Sequence, residues 1–87
     1  MQIQKGQVYQ HFKGNYYYIE DIAYDSSSNE NEELKKIVVY RALYGDNKLW
    51  IRPYDEFISD KILPDGTKIK RFKLIEFKRV DILDRNI

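Results

Sequence analysis

Two arginines and the single tryptophan of this 87-residue chain lie close together in the sequence and could jointly hold an anion. Arg41 comes before a turn of Gly, Asp and Asn residues, and Trp50 and Arg52 follow it. A guanidinium group donates paired hydrogen bonds to phosphate or carboxylate, and an indole ring offers a face for stacking. These residue types predict a site for an anion that carries a ring.

Tyr9 and His11 are weaker candidates for the same site. His11 is the only histidine, and no Ser or Cys stands beside it to suggest an activated nucleophile. A single histidine in a strand beside tyrosines is more often a hydrogen-bonded structural residue than a catalytic one. We therefore predict no catalytic residue and expect that the protein is not an enzyme.

Metal and cofactor motifs are not apparent in the sequence. The acidic residues between positions 25 and 33 lack the ligand spacing and turn glycine of a calcium loop. The chain has no cysteine and no glycine-rich phosphate loop. We expect no metal ligands and no cofactor.

A predicted β-hairpin over residues 37 to 53 positions the arginines. Two apolar runs, rich in β-branched and aromatic residues, flank the turn, which is the strongest strand signal in the chain. A two- or four-residue turn would place Tyr44 opposite Leu49, Ala42 opposite Ile51, and therefore Arg41 opposite Arg52.

Two like charges directly across a strand pair repel each other. This register therefore predicts a compensating negative charge, which is either a bound anion or a carboxylate of the chain itself. The internal candidates are Glu20, Asp21, Asp55 and Glu56.

The hairpin also resembles a known family. The residues that carry the likeness are Val38-Val39-Tyr40-Arg41-x-Leu43-Tyr44-Gly45-Asp46-x-x-Leu49-Trp50-Ile51-Arg52-Pro53, with Gly6-x-x-Tyr9-x-His11-Phe12-Lys13-Gly14-Asn15-x-Tyr17-x-Ile19 before them and Phe57, Gly66 and Arg71-Phe72 after them. This pattern resembles the domain of unknown function (DUF) family 1653, a set of short bacterial and phage proteins. The chain departs from it at Asp25–Ser28, Glu56 and Lys70. The resemblance implies a shared fold unit and no particular activity.

The remaining segments predict further short strands. Residues 7 to 13 alternate as a first strand, and a turn at Gly14-Asn15 would place Phe12 opposite Tyr17. The phase of the second strand slips near Glu20 and Asp21, which predicts a β-bulge. Residues 25 to 33 predict an exposed loop.

The second half of the chain predicts a helical turn and a final strand. Pro53 to Phe57 is typical of one helical turn with Phe57 inward, and residues 63 to 66 predict a turn. Residues 67 to 77 predict the last main strand. The tail from 78 to 87 has enough apolar residues to dock as an extra element.

We therefore predict one mainly β domain over residues 1–87. Its fold would be a small, strongly bent antiparallel sheet or an SH3-like barrel with one short helical turn, with an open α+β sheet as the alternative. A net charge of +1 gives no global attraction to nucleic acid, so an anion site must be local. We find no membrane segment or signal peptide and expect a cytoplasmic protein, with a homo-oligomer as a candidate because the chain is short.

Three functions fit these features unequally. We favour a non-enzymatic binding module for an anionic, ring-bearing ligand, meaning a nucleotide, a nucleotide-derived signal or RNA; in a phage it would sequester such a signal. RNA is included because basic and aromatic residues alternate near the C-terminus: Lys68, Lys70, Arg71, Phe72, Lys73, Phe77, Lys78 and Arg79. Such charges equally well protect a sheet edge from aggregation. The alternative is an SH3-like adaptor that binds a peptide of a protein partner, and an enzyme is the least favoured.

Overall fold

The computed structural model describes residues 2–27 and 34–76, and these residues are mainly β. Within them, seven strands and one short helix follow one another along the chain. The elements are β1 (Val8–His11), β2 (Tyr16–Tyr24), β3 (Lys36–Ala42), β4 (Leu49–Pro53), α1 (Tyr54–Phe57), β5 (Asp60–Ile62), β6 (Lys68–Lys70) and β7 (Phe72–Ile75).

Five strands form one antiparallel sheet in the order β4-β3-β2-β1-β7, and β5 and β6 form a separate two-stranded sheet. β4 and β7 are the ends of the larger sheet, and no pairing among the described residues closes it into a barrel. The predicted mainly β fold with one short helical turn is confirmed. The sheet is open where an SH3-like barrel would be closed.

β1 and β2 pair three residues away from the predicted register. Tyr9 lies opposite Tyr17, where the sequence predicted Phe12. The loop is longer than a two-residue turn, because the His11 N–H bonds to the Asn15 carbonyl at 2.8 Å. Gly14 within this loop has a φ of 110°, a conformation that glycine adopts without strain.

The predicted bulge in β2 is present. Ile19 lies opposite Tyr40 and Asp21 lies opposite Val39, so Glu20 is the extra residue. Because one residue is inserted, the side chains of Ile19 and Ile22 both pack on the core.

The β3–β4 hairpin also differs from the prediction by three residues. Arg41 lies opposite Leu49, and Arg52 lies opposite Val38, so the predicted pairing of Arg41 with Arg52 is wrong. A shift by an odd number reverses the faces of one strand relative to the other. Ile51, which the predicted register would place opposite the buried Ala42 on the core face, is 70% exposed.

Asn47 accounts for the width of the hairpin loop. The Ala42 N–H bonds to the Lys48 carbonyl at 2.9 Å, which leaves residues 43 to 47 within the loop. The Asn47 side-chain amide donates to the Ala42 carbonyl at 2.9 Å, and Asn47 has a φ of 55°. Asparagine tolerates this left-handed conformation and so stabilises a wider loop than the pattern alone predicts.

Aromatic rings form the core on one face of the large sheet, which we call the inner face and which carries Tyr9, Tyr17 and Tyr40. The other face, here the outer face, carries Arg41 and Ile51. α1 begins after Pro53 as predicted and places Phe57, only 1% exposed, against the inner face. The buried residues are Ile3, Tyr9, Tyr17, Ile19, Val38, Tyr40, Ala42, Phe57 and Phe72.

The last predicted strand is two strands that belong to different sheets. Arg71 separates β6 from β7; its N–H bonds to the Ser59 carbonyl at 3.1 Å, and its carbonyl accepts from the Phe12 N–H at 3.0 Å. Arg71 thus connects the small sheet to the large one. The turn predicted at residues 63 to 66 joins β5 to β6.

Some predictions lie partly or wholly outside the described residues. Of the predicted loop over 25 to 33, the structure describes Asp25 to Ser27, of which Ser26 and Ser27 are exposed. The remainder of that loop, Phe77 at the end of the last predicted strand, and the tail from 78 to 87 with Lys78 and Arg79 lie outside the described part of the chain.

Candidate functional site

Arg52 lies at the centre of a polar group of side chains on the inner face, at the end of β4. Its Nε donates to the Tyr40 hydroxyl at 3.2 Å and its Nη1 donates to Glu56 at 2.6 Å. The guanidinium carbon lies 5.6 Å from the centre of the Phe72 ring. The apolar stem packs on the core while the head reaches the surface, so the side chain remains 27% exposed.

Of the N–H donors of Arg52, Glu56 occupies one on Nη1. A guanidinium has five N–H donors, and the described contacts of Arg52 occupy one on Nε and one on Nη1. The carboxylate touches it through one oxygen and is half exposed. Arg52 can therefore accept a further anion alongside its internal partner.

His11 adds a second donor in a positive environment. Its ring lies 4.9 Å from Phe72 and 6.4 Å from Tyr17, and its Nδ1 accepts a hydrogen bond from the Lys13 N–H at 3.1 Å. Burial lowers the pKa of His11, and the nearby cations Arg52, Lys13 and Arg71 lower this pKa further. The ring is therefore neutral at pH 7, with its proton on Nε2 as a donor.

Two tyrosine hydroxyls complete the group. Tyr17 and Tyr44 share a hydrogen bond of 2.7 Å, and their rings meet edge to face at 5.6 Å. Burial and the hydrogen bond with Tyr44 raise the pKa of Tyr17, so the Tyr17 hydroxyl keeps its proton at neutral pH. One proton lies within the pair and the other remains available as a donor. We call Arg52, His11, Tyr17, Tyr40 and Tyr44 the inner-face donor cluster.

Trp50 lies beside this cluster on the same face. It is opposite Tyr40 in the ladder and two residues before Arg52 on β4. Side chains two residues apart on a strand point the same way and are about 7 Å apart. Its indole is 45% exposed, so a ring could stack on it.

Arg41 does not belong to the cluster, which corrects the predicted site geometry. It lies on the outer face, where its Nε donates to Glu20 at 2.7 Å and its Nη1 donates to the Asn47 carbonyl at 3.0 Å. The expected internal carboxylate is thus found separately for each arginine, with Glu20 at Arg41 and Glu56 at Arg52. Both pairs remain partly exposed.

Tyr9 is part of the core and does not reach the surface of the cluster. It is buried, its ring meets the edge of Phe57 at 5.2 Å, and its hydroxyl bonds to the Gln7 side chain at 3.1 Å. Among the candidate residues, the structure therefore brings together Trp50, Arg52 and His11, and places Arg41 and Tyr9 elsewhere.

A groove of about 620 Å³ lies between β1 and the last strands and has His11 in its lining. Its lining includes the apolar side chains of Phe12 and Leu74, the basic side chains of Lys70 and Lys73, and the carboxylate of Glu76. The ammonium groups of Lys13 and Lys61 lie 6.0 and 5.9 Å from the Phe12 ring. The basic and aromatic residues predicted near the C-terminus thus contribute in part to a groove that shares His11 with the donor cluster.

Sequence reasoning named Glu56 among the candidate carboxylates but missed Tyr17, Tyr40 and Tyr44 as members of the site. The wrong register hid them, since it placed Arg52 on the face opposite Tyr40. The spacing of Arg52 and Glu56, four residues apart at a strand-to-helix junction, was the available signal for their pair.

The described residues hold no group of three or more His, Cys, Asp or Glu side chains arranged for a metal ion. The chemistry that the donor cluster offers is recognition of negative charge, because its free groups are mostly N–H and O–H donors. Its aromatic neighbours add a stacking surface.

Comparison with known proteins identifies a family and nothing more specific. A family model described as "Protein of unknown function (DUF1653)" matches residues 7–74, a range that includes the donor cluster, Trp50 and Arg41. No curated protein and no solved structure matches the chain. Among the described residues, no helix is long and apolar enough to cross a membrane.

Proposed function

We propose that this chain, which belongs to the DUF1653 family, is a non-enzymatic binding module for a small anion that carries an aromatic ring. Nucleotides, nucleotide-derived signals and RNA ends have this chemistry. The observation that carries the proposal is the convergence of Arg52, His11 and the Tyr17–Tyr44 pair on one exposed end of the inner face.

The donors suit a phosphate group. Arg52 offers charge, and N–H groups that no described residue occupies, on a partly buried side chain, where a charge-assisted hydrogen bond is worth more than in water. The cations that lower the pKa of His11 are the same ones that would attract an anion to it. Glu56 is the one described carboxylate in contact with the cluster, and it already bonds to Arg52.

The ring of the ligand would stack on Trp50. About 7 Å separate Trp50 from Arg52 along β4, a span that one nucleotide can bridge between base and phosphate. The groove that His11 lines, with Lys70 and Lys73, would hold a further phosphate or nucleotide of a longer ligand. Binding without turnover is what a protein that sequesters a signal requires, in a phage or elsewhere, and it fits a cytoplasmic setting.

A peptide-binding adaptor is the second candidate, favoured by the exposed rings of Tyr44 and Trp50. The dependence of binding affinity on salt concentration distinguishes the two functions. Phosphate-dominated binding weakens steeply as salt rises, whereas capture of an apolar peptide does not.

The test is a calorimetric titration with a nucleoside 5′-monophosphate, a cyclic mononucleotide, the bare nucleoside and orthophosphate. We expect the two nucleotides to bind more tightly than either part alone. Arg52→Gln should weaken nucleotide binding at least tenfold, because a hydrogen bond to a charged group contributes about 1.5–3 kcal/mol. Arg41→Gln is the matched control and should leave affinity unchanged, since Arg41 lies on the outer face.

Equal loss in both variants, or equal affinity for nucleoside and nucleotide, would contradict the proposal. Binding of a proline-rich or tyrosine-rich peptide with little salt dependence, in place of nucleotides, would favour the adaptor.

A further inference from the structure

β4 is an edge strand of the large sheet and has few of the features that prevent an edge from pairing with another chain. It is the end strand in the sheet order, and within residues 2–27 and 34–76 no strand pairs with its other side. Its sequence Leu49-Trp50-Ile51-Arg52-Pro53 has a single charge, and its three leading side chains are exposed. Natural edge strands usually carry charges or bulges that prevent pairing with another chain.

The register shows which backbone groups point outward from this edge. The Ala42 N–H bonds to the Lys48 carbonyl, and in an antiparallel ladder the hydrogen-bonded pairs alternate. Trp50 and Arg52 therefore direct their N–H and C=O groups toward β3. Leu49, Ile51 and Pro53 direct theirs to the free edge, where the missing N–H of Pro53 costs no ladder bond.

We propose that the free edge of β4 binds the same edge of a second copy of this chain, antiparallel, about a two-fold axis at Ile51. The two Ile51 residues would exchange two backbone hydrogen bonds. Each Leu49 N–H would donate to the Pro53 carbonyl of the other copy, which gives four bonds in all. On the outer face, Ile51 meets Ile51 and Leu49 meets Pro53, which covers apolar side chains that are now exposed.

The inner face supplies the charge complementarity that selects this register. Trp50 lies opposite Arg52 of the second copy, so each cation meets an indole ring. Moving the axis by one residue would place Arg52 opposite Lys48 or opposite Arg52 of the second copy, and like charges so paired repel. A two-fold interface requires self-complementarity, and the Ile51-centred register provides it.

A short chain gains from this association, because 87 residues bury only a modest share of their surface. The inference goes beyond the proposed ligand binding and does not depend on it. An indole has two faces, so pairing with Arg52 of the second copy leaves one face of Trp50 for a ligand.

The first test is the solution mass measured by sedimentation over a range of protein concentrations. Wild type should show the mass of two 10.5 kDa chains. Ile51→Lys should show one, because an edge lysine blocks pairing. Ile51 is on the outer face, so this variant should still bind nucleotide and thereby separates failure of the dimer from failure of the ligand site. Ile62→Lys is the control, since Ile62 is equally apolar, 62% exposed and on the small sheet, and it should remain dimeric.

A cross-link tests the axis itself. The chain has no cysteine, so Ile51→Cys introduces one thiol per copy. Hydrogen-bonded residues of an antiparallel pair have Cα atoms about 5.5 Å apart, within disulfide range. Mild oxidation should convert Ile51→Cys, and not Ile62→Cys, to a covalent dimer. A wild-type monomer at every concentration, or a dimer that persists in Ile51→Lys, would overturn the proposal.

Discussion

Replacing Phe57 by alanine should lower the free energy of unfolding by about 4 kcal/mol, near the middle of the range of about 3–5 kcal/mol for truncating a buried phenylalanine. Phe57 is 1% exposed, and its ring is stacked on Phe72 with 3.9 Å between centroids and 6° between planes. The ring centroids of Tyr9 and Tyr40 lie 5.2 and 5.3 Å from that of Phe57, in edge-to-face contact. These three rings are anchored in the sheet, so the cavity cannot readily collapse.

The size of this loss relative to total stability makes it measurable. At about 0.05–0.15 kcal/mol per residue, a domain of this length has about 4–13 kcal/mol in all. A loss of about 4 kcal/mol corresponds to a fall in Tm of about 15 °C or more for a small domain. Phe57→Leu keeps most of the volume and should cost about 1.5 kcal/mol or less.

Chemical denaturation followed by circular dichroism gives these differences directly. Ile62→Ala is the control, because an exposed side chain contributes little, and it should cost about 1 kcal/mol or less. If Phe57→Ala costs no more than Ile62→Ala, the aromatic stack does not hold α1 to the sheet and the description of the core is wrong.

Two further predictions concern proton uptake and the hairpin loop. The pKa of His11 is lowered and a bound phosphate would raise it, so binding should take up a proton, and affinity for a cyclic mononucleotide should rise as the pH falls from about 7.5 to about 5.5. Calorimetry in buffers of different ionisation enthalpy measures this uptake. The same dependence of affinity on pH in His11→Gln as in wild type would contradict the prediction. Asn47→Ala should destabilise the fold by about 1–2 kcal/mol, because it removes the bond to the Ala42 carbonyl and strains a left-handed residue. Asn47→Gly keeps that conformation and should cost less in urea denaturation; the reverse order would show that the loop does not depend on the backbone angle.

Local sequence patterns predicted most of the elements, because each depends on neighbouring residues, but they missed β5 and the break between β6 and β7. The helical turn after Pro53, the bulge near Glu20 and the turn at residues 63 to 66 all follow from local conformational preferences. The family resemblance was confirmed by a match over residues 7–74.

The pairing of strands could not be predicted in the same way, because it depends on loop length. Both hairpins were predicted three residues away from their observed register, with loops shorter than the three and five residues of the structure. In the second, the side chain of Asn47 bonds to the Ala42 carbonyl and stabilises the wider loop. An apolar pattern cannot reveal such a bond, and the resulting shift exchanged the faces of β4.

The candidate site was predicted only in part, because the predicted register placed Arg41 and Arg52 opposite each other on one face. The residue types predicted that Arg41 and Arg52 need a compensating negative charge, and each has a carboxylate partner. Their separation onto two faces followed from the register. The inner face, which also carries Phe72, can accommodate Arg52 because its apolar stem lies against the ring while its head stays in water.

Fluorescence of Trp50, the only tryptophan of the chain, tests the central claim most directly. Titration with a nucleoside 5′-monophosphate should quench this fluorescence to saturation in wild type and in Arg41→Gln. In Arg52→Gln the midpoint should move to at least tenfold higher concentration, because the phosphate loses its charged donor. Unchanged fluorescence on saturating addition, or the same midpoint in Arg52→Gln as in wild type, would contradict ligand binding at the inner-face donor cluster.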